Sequence, residues 1–252
     1  MAKELDLSCF SYLASARVLQ INEYPQLNSG AEVYGVIDTL AADAPMTAIA
    51  ASRLGLKVAL IANPLGMDDQ GKSISKNLEQ NKIANSINLL PDRKTPFIVV
   101  LSDDSGNREW FSYTKEAEKG LIKANLSQID NSSLVYIDLY SGIQEASLRA
   151  IDYATEKGVP IFLNVSGDIP SPELVTKLKG KNIAIIQIGL HESQEIEAEK
   201  IAAQIYETFD PKVSIVTLAS KGAIAVSGMT VVMSSALFLH KMSKWFWLGT
   251  LA

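Results

Sequence analysis

The sequence predicts an α/β fold with a mostly parallel central sheet and a small additional β-sheet. Apolar runs of strand length recur along the 252 residues, and segments with an apolar residue at every third or fourth position separate them. This alternation is typical of a parallel sheet with helices on both faces. One stretch interrupts it, because two strand-like runs flank the turn-forming residues 103–107 and indicate an antiparallel hairpin.

These patterns assign the elements in chain order. Near-continuous apolar runs predict buried strands at residues 58–62, 134–139, 160–165, 183–188 and 213–218. Helical spacing predicts helices at residues 47–54, 72–81, 144–156, 172–179 and 193–209. Ser171 before Pro172 is a typical helix start, and Gly55 and Gly158 are typical helix ends.

The hairpin belongs to a second predicted sheet. Strand-like runs at 17–22 and 32–36 precede the hairpin strands at 95–102 and 108–113. We expect the segments at about 12–38 and 95–114 to form a small sheet. Within a single domain of residues 1–252, this sheet would act as a lid over a ligand cleft.

Composition and charge exclude several classes of protein. The net charge of −5 argues against a nucleic-acid or anionic-membrane partner. One cysteine and two histidines provide neither a disulfide framework nor a Cys/His zinc site. The N-terminal residues lack an apolar signal segment, and the uncharged run 222–239 holds too many glycines and hydroxyls for a membrane span. We therefore expect a cytoplasmic protein without nucleic-acid or membrane partners.

The C-terminal residues differ in character from the rest of the chain. No acidic residue follows Asp210. Residues 237–252 contain Trp245 and Trp247 but show neither strand alternation nor a helical face. We interpret residues 237–252 as an atypical tail.

Two loops follow predicted strands and contain residues suited to ligand binding. The loop from Gly66 to Gly71 is either a tight turn in which Asp68 or Asp69 caps the next helix, or a ligand-facing loop. Residues 216–222 place a hydroxyl, an ammonium group and a glycine after a buried strand. Such a loop holds a phosphate through backbone N–H groups or forms a plain β-turn, and no P-loop occurs in the chain.

Several motifs together are more specific than either loop. They are Asp6 to Ser11, Leu40 to Met46 leading into the helix Ala48 to Gly55, the strand from Lys57, G-x-D-x-x-G at Gly66 to Gly71, the hairpin loop Ser102 to Arg108, the strand Ile161 to Ser166, and Val216 to Ala223. In their order and spacing, over roughly residues 5–236, the chain resembles the PfkB, or ribokinase-like, family of carbohydrate and nucleoside kinases.

The resemblance implies a three-layer α/β sandwich with a β-sheet lid. ATP and Mg²⁺ would bind at the carboxyl edge of the sheet, with a sugar or nucleoside under the lid. Family members transfer the γ-phosphoryl group of ATP to a hydroxymethyl group of that acceptor. The lid also implies a homodimer, because family lids often pair across dimers.

Individual residues are assigned only through the resemblance. The implied nucleotide-binding residues are Thr217, Ser220, Lys221, Gly222 and Asn164. The positions implied around the acceptor are Ala16, Ala42, Asp43, Met46, Gly66 and Asp68.

The chain departs from the family pattern where the chemistry should lie. The family motif D-T-x-G-A-G-D supplies the catalytic base and the anion hole, and no aspartate follows Asp210 here. Ala16 stands in place of the acceptor-binding aspartate, and Ala41 and Ala42 replace glycines. The family's N-x-x-E maps approximately onto His191 and Gln194, which lack its carboxylate. We therefore expect no catalytic residue and negligible turnover, with the C-terminal part of the fold missing.

Three interpretations remain open from the sequence. The chain is a sugar or nucleoside kinase by descent that is truncated or read out of frame near residue 236. Alternatively, it is a non-catalytic relative that binds ligands or partners, as the upstream substitutions suggest at Ala16, Ala41, Ala42 and Met46. A more distant alternative is an unrelated α/β nucleotide-binding protein, which would lack the small lid sheet.

Overall fold

The computed structural model describes residues 3–167 and 170–235. The strands are β1 Leu5–Phe10, β2 Ala14–Ile21, β3 Val33–Ala41, β4 Val58–Ile61, β5 Leu65–Gly66, β6 Ala84–Asn85, β7 Leu89–Leu90, β8 Phe97–Ser102, β9 Arg108–Tyr113, β10 Ser132–Asp138, β11 Ile161–Asn164, β12 Ile183–Gly189, β13 Val213–Thr217, β14 Ala223–Ser227 and β15 Thr230–Ser234. The helices are α1 Asp43–Arg53, α2 Asp69–Gln80, α3 Lys115–Leu121, α4 Gln144–Glu156, α5 Pro172–Leu178 and α6 Glu195–Phe209. Short 3₁₀ turns occupy Ser127–Asn131, Ser141–Ile143, Glu192–Gln194 and Ala219–Lys221.

The described residues group into two compact units. The first unit contains residues 3–10 and the described part of 125–235, and the second contains residues 11–124. The predicted atypical tail, residues 237–252, lies outside the described residues.

The first unit is built on a large, mostly parallel sheet. Its strands run in the order β15-β14-β13-β12-β11-β10-β1. All neighbours from β1 to β13 are parallel, and β14 and β15 add an antiparallel hairpin. The α/β prediction is therefore confirmed, with apolar runs forming the parallel strands.

Helices with small buried residues cover this sheet. Helix α4 turns Ala146, Ala150 and Ala154 inward, each with no exposed surface, and packs against β10 and β11. Helix α6 packs Ala198 and Ala202 against β13 and β14 in the same way. Alanines four residues apart share one helix face, so each helix backbone comes close to the sheet.

The second unit contains the small sheet that the sequence predicts. Its strand order is β3-β2-β8-β9, in which β2 and β8 are parallel and the other pairs antiparallel. The predicted hairpin is confirmed as β8 and β9, which pair from Phe97 opposite Tyr113 to Ser102 opposite Arg108. Two further parallel pairs, β4 with β6 and β5 with β7, complete the unit beside α1 and α2.

The apolar run at 222–239 was not predicted to form strands. Its described part forms the β14–β15 hairpin, which Gly228 closes with a positive φ of 58°. Among residues 3–167 and 170–235, the structure contains no helix with the length and apolarity of a membrane span.

Candidate functional site

A cleft of about 630 Å³ lies in the second unit. The small sheet and one face of α2 form its walls, with Ser15, Ala16, Arg17, Asp38, Thr39, Leu40, Phe97, Ile98 and Val99 from the sheet and Asp69, Gln70, Ser73, Ile74 and Asn77 from the helix. Of the positions predicted around an acceptor, only Ala16 belongs to this lining. Most small-molecule sites have volumes of about 300–1,000 Å³, so the cleft is large enough for such a ligand.

An ion pair crosses the sheet at this cleft. Arg17 and Asp38 lie directly opposite each other on β2 and β3. The Arg17 guanidinium donates from Nε to Oδ1 at 2.7 Å and from Nη2 to Oδ2 at 2.9 Å. This hydrogen bond lowers the pKa of Asp38 and raises that of Arg17, so both groups stay charged at neutral pH. With Asp69 as the third charged residue, the lining favours an uncharged, hydrogen-bonding ligand over an anion.

Ala42 lies at the junction between β3 and α1 in a backbone conformation that glycine favours. Its φ of 85° and ψ of 153° are unusual for an alanine, and no side chain caps the helix that follows. Ala41 pairs with Ala14, and Thr39 pairs with Ala16, so the junction adjoins the strand that carries Ala16. Asp43 and Met46 follow in the first turn of α1 and are only partly buried.

Asn63 holds the start of β2, a role that was not predicted from the sequence. Its Oδ1 accepts from the backbone N–H of Leu13 at 2.8 Å, and its Nδ2 donates to the carbonyl of Leu13 at 3.1 Å. Asn63 is only 1% exposed, so the amide serves the fold and positions the strand that carries Ala16. The available signal in the sequence was the position of this asparagine directly after the apolar run 58–62.

The loop from Gly66 to Gly71 is a tight turn that caps α2. The Asp68 carboxylate accepts from the N–H of Gly71 at 2.9 Å, the N–H of Thr95 at 2.8 Å and the hydroxyl of Thr95 at 2.6 Å. A Cβ on Gly71 would lie 2.0 Å from the Gly66 carbonyl oxygen, and one on Gly66 would lie 2.6 Å from the Arg93 carbonyl oxygen. Close packing therefore explains both glycines, and hydrogen bonds explain the aspartate, which together favour the tight-turn alternative.

The carboxyl ends of four parallel strands bring a second set of residues together in the first unit. Asp138 ends β10 beside Asn164 of β11, while Gly189 of β12 lies beside Thr217 of β13. Asn164 is 2% exposed and donates from Nδ2 to Oδ1 of the buried Asp138 at 2.9 Å. Asn164, which was predicted to bind nucleotide, therefore stabilises the strand end through this hydrogen bond. Asp138 is an acidic residue at the end of an apolar run, and it was not predicted as part of the site.

Cys9 lies on the neighbouring strand β1 and has no exposed surface. Burial, and to a lesser extent the charge of Asp138, raises the pKa of its thiol. A buried thiol with a raised pKa is a poor nucleophile, so Cys9 contributes to packing.

The loop at residues 216–222, for which phosphate binding and a plain turn were the two alternatives, contains the 3₁₀ turn Ala219–Lys221 after β13. The N–H groups of Lys221 and Gly222 donate to the carbonyls of Leu218 and Ala219, and the N–H of Leu218 donates to the carbonyl of Gly222. These three N–H groups donate within the turn, whereas phosphate binding requires backbone N–H groups that point at the ligand. Ala219 has a φ of 45°, a second alanine in a glycine-type conformation.

His191 and Gln194 lie in the turn that follows β12. The His191 ring contacts the Ser193 hydroxyl at 2.9 Å, and the Gln194 Oε1 accepts from the N–H of His191 at 3.2 Å. Both side chains thus stabilise their own turn, and neither brings a carboxylate to the strand ends.

A family model described as the pfkB family carbohydrate kinase matches residues 46–241. The chain belongs to the PfkB family. The match excludes the interpretation as an unrelated α/β protein, and the described structure contains the expected small sheet.

Individual PfkB-family relatives are distant. A nucleoside kinase from Methanothermobacter thermautotrophicus is 22% identical over 230 residues, which cover 90% of this chain and 74% of that protein. A ribokinase from Arabidopsis thaliana complexed with ribose and ATP aligns with a TM-score of 0.65 at 17% identity, covering 93% of this chain and 78% of the other. A fructokinase from Halothermothrix orenii aligns with a TM-score of 0.70 at 17% identity, covering 92% of this chain and 86% of the other. These similarities support the ribokinase-like fold.

Proposed function

We propose that the chain derives from a sugar or nucleoside kinase and binds such an acceptor in the second unit without phosphorylating it. The cleft beside Ala16 carries this proposal, because its size and the hydroxyl, amide and paired charged groups of its lining suit a polyhydroxyl ligand. The nucleoside kinase relative and the ribokinase bound to ribose support the two acceptor classes.

ATP would bind at the carboxyl edge of the first unit's sheet, near Thr217, Ser220, Lys221 and Gly222. Among the described residues, no group of three acidic, histidine or cysteine side chains could hold a metal ion. Mg²⁺ would therefore arrive with the ATP phosphates, which commonly supply several of its ligands. The single cysteine is buried and unpaired, which fits a reducing cytoplasmic setting.

The chemistry should be absent from a polypeptide of this sequence. Transfer requires a base at the acceptor hydroxyl and donors at the transferring phosphoryl group, each typically worth about 10² or more in rate. The family takes both from an aspartate-containing motif, and no aspartate occurs among residues 211–252. The alternative is a protein that retains the fold only for assembly.

Calorimetry and a coupled assay test this proposal together. We expect ribose, fructose or adenosine to bind the 252-residue chain, while ADP release with ATP and Mg²⁺ stays at the background rate. Ser73→Trp should fill the cleft and abolish binding, whereas Lys76→Trp, exposed on the same helix outside the lining, should not. Clear turnover would refute the inactivity, and no acceptor binding would favour the assembly alternative.

A further inference from the structure

Lys221 is the one charged residue of the turn Ala219–Lys221, and an acidic side chain already engages it. Its Nζ lies 3.3 Å from Oε2 of Glu195. Both side chains are about half exposed, at 48% and 46%. The pair is therefore open to solvent and can be separated by a competing anion at little cost.

Lys221 carries most of the attraction that this turn offers to a phosphate. The N–H groups of Leu218, Lys221 and Gly222 already donate to carbonyls within the turn. The Ala219 side chain, at a φ of 45°, adds a methyl group where a glycine would leave the backbone open. Anion affinity here depends chiefly on the ammonium group and on what neutralises it.

The position of Glu195 follows from the sheet. Strands β12 and β13 are parallel neighbours, so the turns that follow them, Glu192–Gln194 and Ala219–Lys221, pack against each other. Glu195 begins α6 directly after the first turn and thereby faces Lys221 of the second. A carboxylate at that place attracts the ammonium group and repels a phosphate.

We propose that Glu195 is an internal counter-ion that sets the affinity of the Lys221 turn for the polyphosphate of a nucleotide. This inference rests on the proposed nucleotide site of the first unit. A triphosphate binds by displacing Glu195 from Lys221, so the carboxylate keeps the affinity low.

Four variants of the full chain test the inference, with ATP·Mg²⁺ and inorganic tripolyphosphate as separate probes in calorimetry. Glu195→Gln keeps the shape and removes the charge, and we expect affinity for both probes to rise about three- to fivefold, the scale of a half-exposed ion pair. Lys221→Gln should weaken binding, and the double variant should match Lys221→Gln. Glu197→Gln removes a charge from the same first helical turn on another face and should change little.

The outcomes separate this inference from the proposed function. Wild-type binding of ATP with no gain in Glu195→Gln, or an equal gain in the double variant, overturns the counter-ion role and leaves the nucleotide site standing. Binding by none of the folded variants, checked by thermal melting, overturns both the inference and the nucleotide site. The gain should shrink at high salt, because exposed charges are screened.

Discussion

Asp68 shows how a motif residue can have a structural role through internal hydrogen bonds. Burial raises the pKa of its carboxyl, but the hydrogen bonds from Thr95 and Gly71 together prevail, so that its pKa lies below the usual 3.8. Because the pKa of Asp68 is lowered in the folded state, the charged carboxylate stabilises the fold at pH values above the pKa of the unfolded state. This contribution is lost as the pH falls through the pKa of the folded state.

We therefore predict that Asp68→Asn lowers the free energy of unfolding by about 1–2 kcal/mol at pH 7. The difference in the free energy of unfolding between wild type and variant should shrink below about pH 4, where the wild-type carboxyl becomes protonated and loses its charge. Urea denaturation from pH 7 to pH 3 measures both effects. Asp69→Asn, outside the Thr95 hydrogen bonds, is the control, and an equal, pH-independent loss in both variants would contradict the assignment.

Ala42 is a position where substitution should stabilise the protein, because its Cβ is unfavourable in the backbone conformation that it adopts. A non-glycine residue at a φ of 85° typically costs about 1–3 kcal/mol, more than the extra chain entropy of glycine. Ala42→Gly should therefore stabilise the protein by about 1 kcal/mol in urea denaturation. Ala44→Gly, in the regular helix next to it, should destabilise it; a loss in both variants would show that Ala42 is unstrained.

At the scale of elements, the sequence predicted most of what periodicity encodes. Helix α4 has the predicted bounds, and the five strands predicted from apolar runs, β4 and β10 to β13, agree within two residues. The two-residue strands β5, β6 and β7 were missed because they are too short to show a period. The hairpin β14–β15 was missed because Gly222 and Gly228 adjoin its short strands, which therefore resemble loops.

The candidate site was less predictable than the fold. Spacing located the loops, but it could not show that Asp68 and Asn164 form internal hydrogen bonds. Nor could it pair Lys221 with Glu195, because that contact depends on which strands are neighbours.

The small sheet exposes aromatic side chains. We propose that the protein forms a homodimer through this sheet, the lid. Phe97, Phe111 and Tyr113 are 45%, 63% and 54% exposed, and the rings of Phe97 and Tyr113 stack at 5.4 Å. Phe97 lies opposite Tyr113, and Phe111 lies opposite Val99, so these side chains share one face. Trp110 is 67% exposed on the other face.

The alternation of β9 supplies a matched pair of variants. Phe111→Lys should weaken the dimer at least tenfold, because it places a charge in an apolar contact. Trp110→Lys should leave the dimer intact. Sedimentation velocity over a concentration series measures both, and a monomeric wild type or equal effects of the two changes would refute a dimer through this face.

At the scale of the whole molecule, net charge and exposed apolar surface act together. The chain carries −5 at pH 7, and its isoelectric point is about 5.2. Val231, Val232 and Met233 of β15 are 43%, 56% and 65% exposed. Apolar surface on a chain without net charge promotes association.

We predict that light scattering at constant concentration peaks near pH 5 and falls by pH 7.5. Val232→Lys should reduce the scattering at pH 7.5 and at pH 5, because it places a charge on the apolar strand β15. Thr230→Lys, at the start of the same strand, controls for the added charge alone. Scattering that is independent of pH and of both substitutions would contradict this account.

Ala42 and Ala219 have a further, evolutionary consequence. Alanine and glycine codons differ by one base, so either alanine could become glycine in a single mutational step. Gains of ligand affinity usually compete with stability. At Ala42, replacement by glycine would both remove the backbone strain and remove a methyl group that limits the approach of a ligand. A lineage under selection for binding could therefore make this change without losing stability.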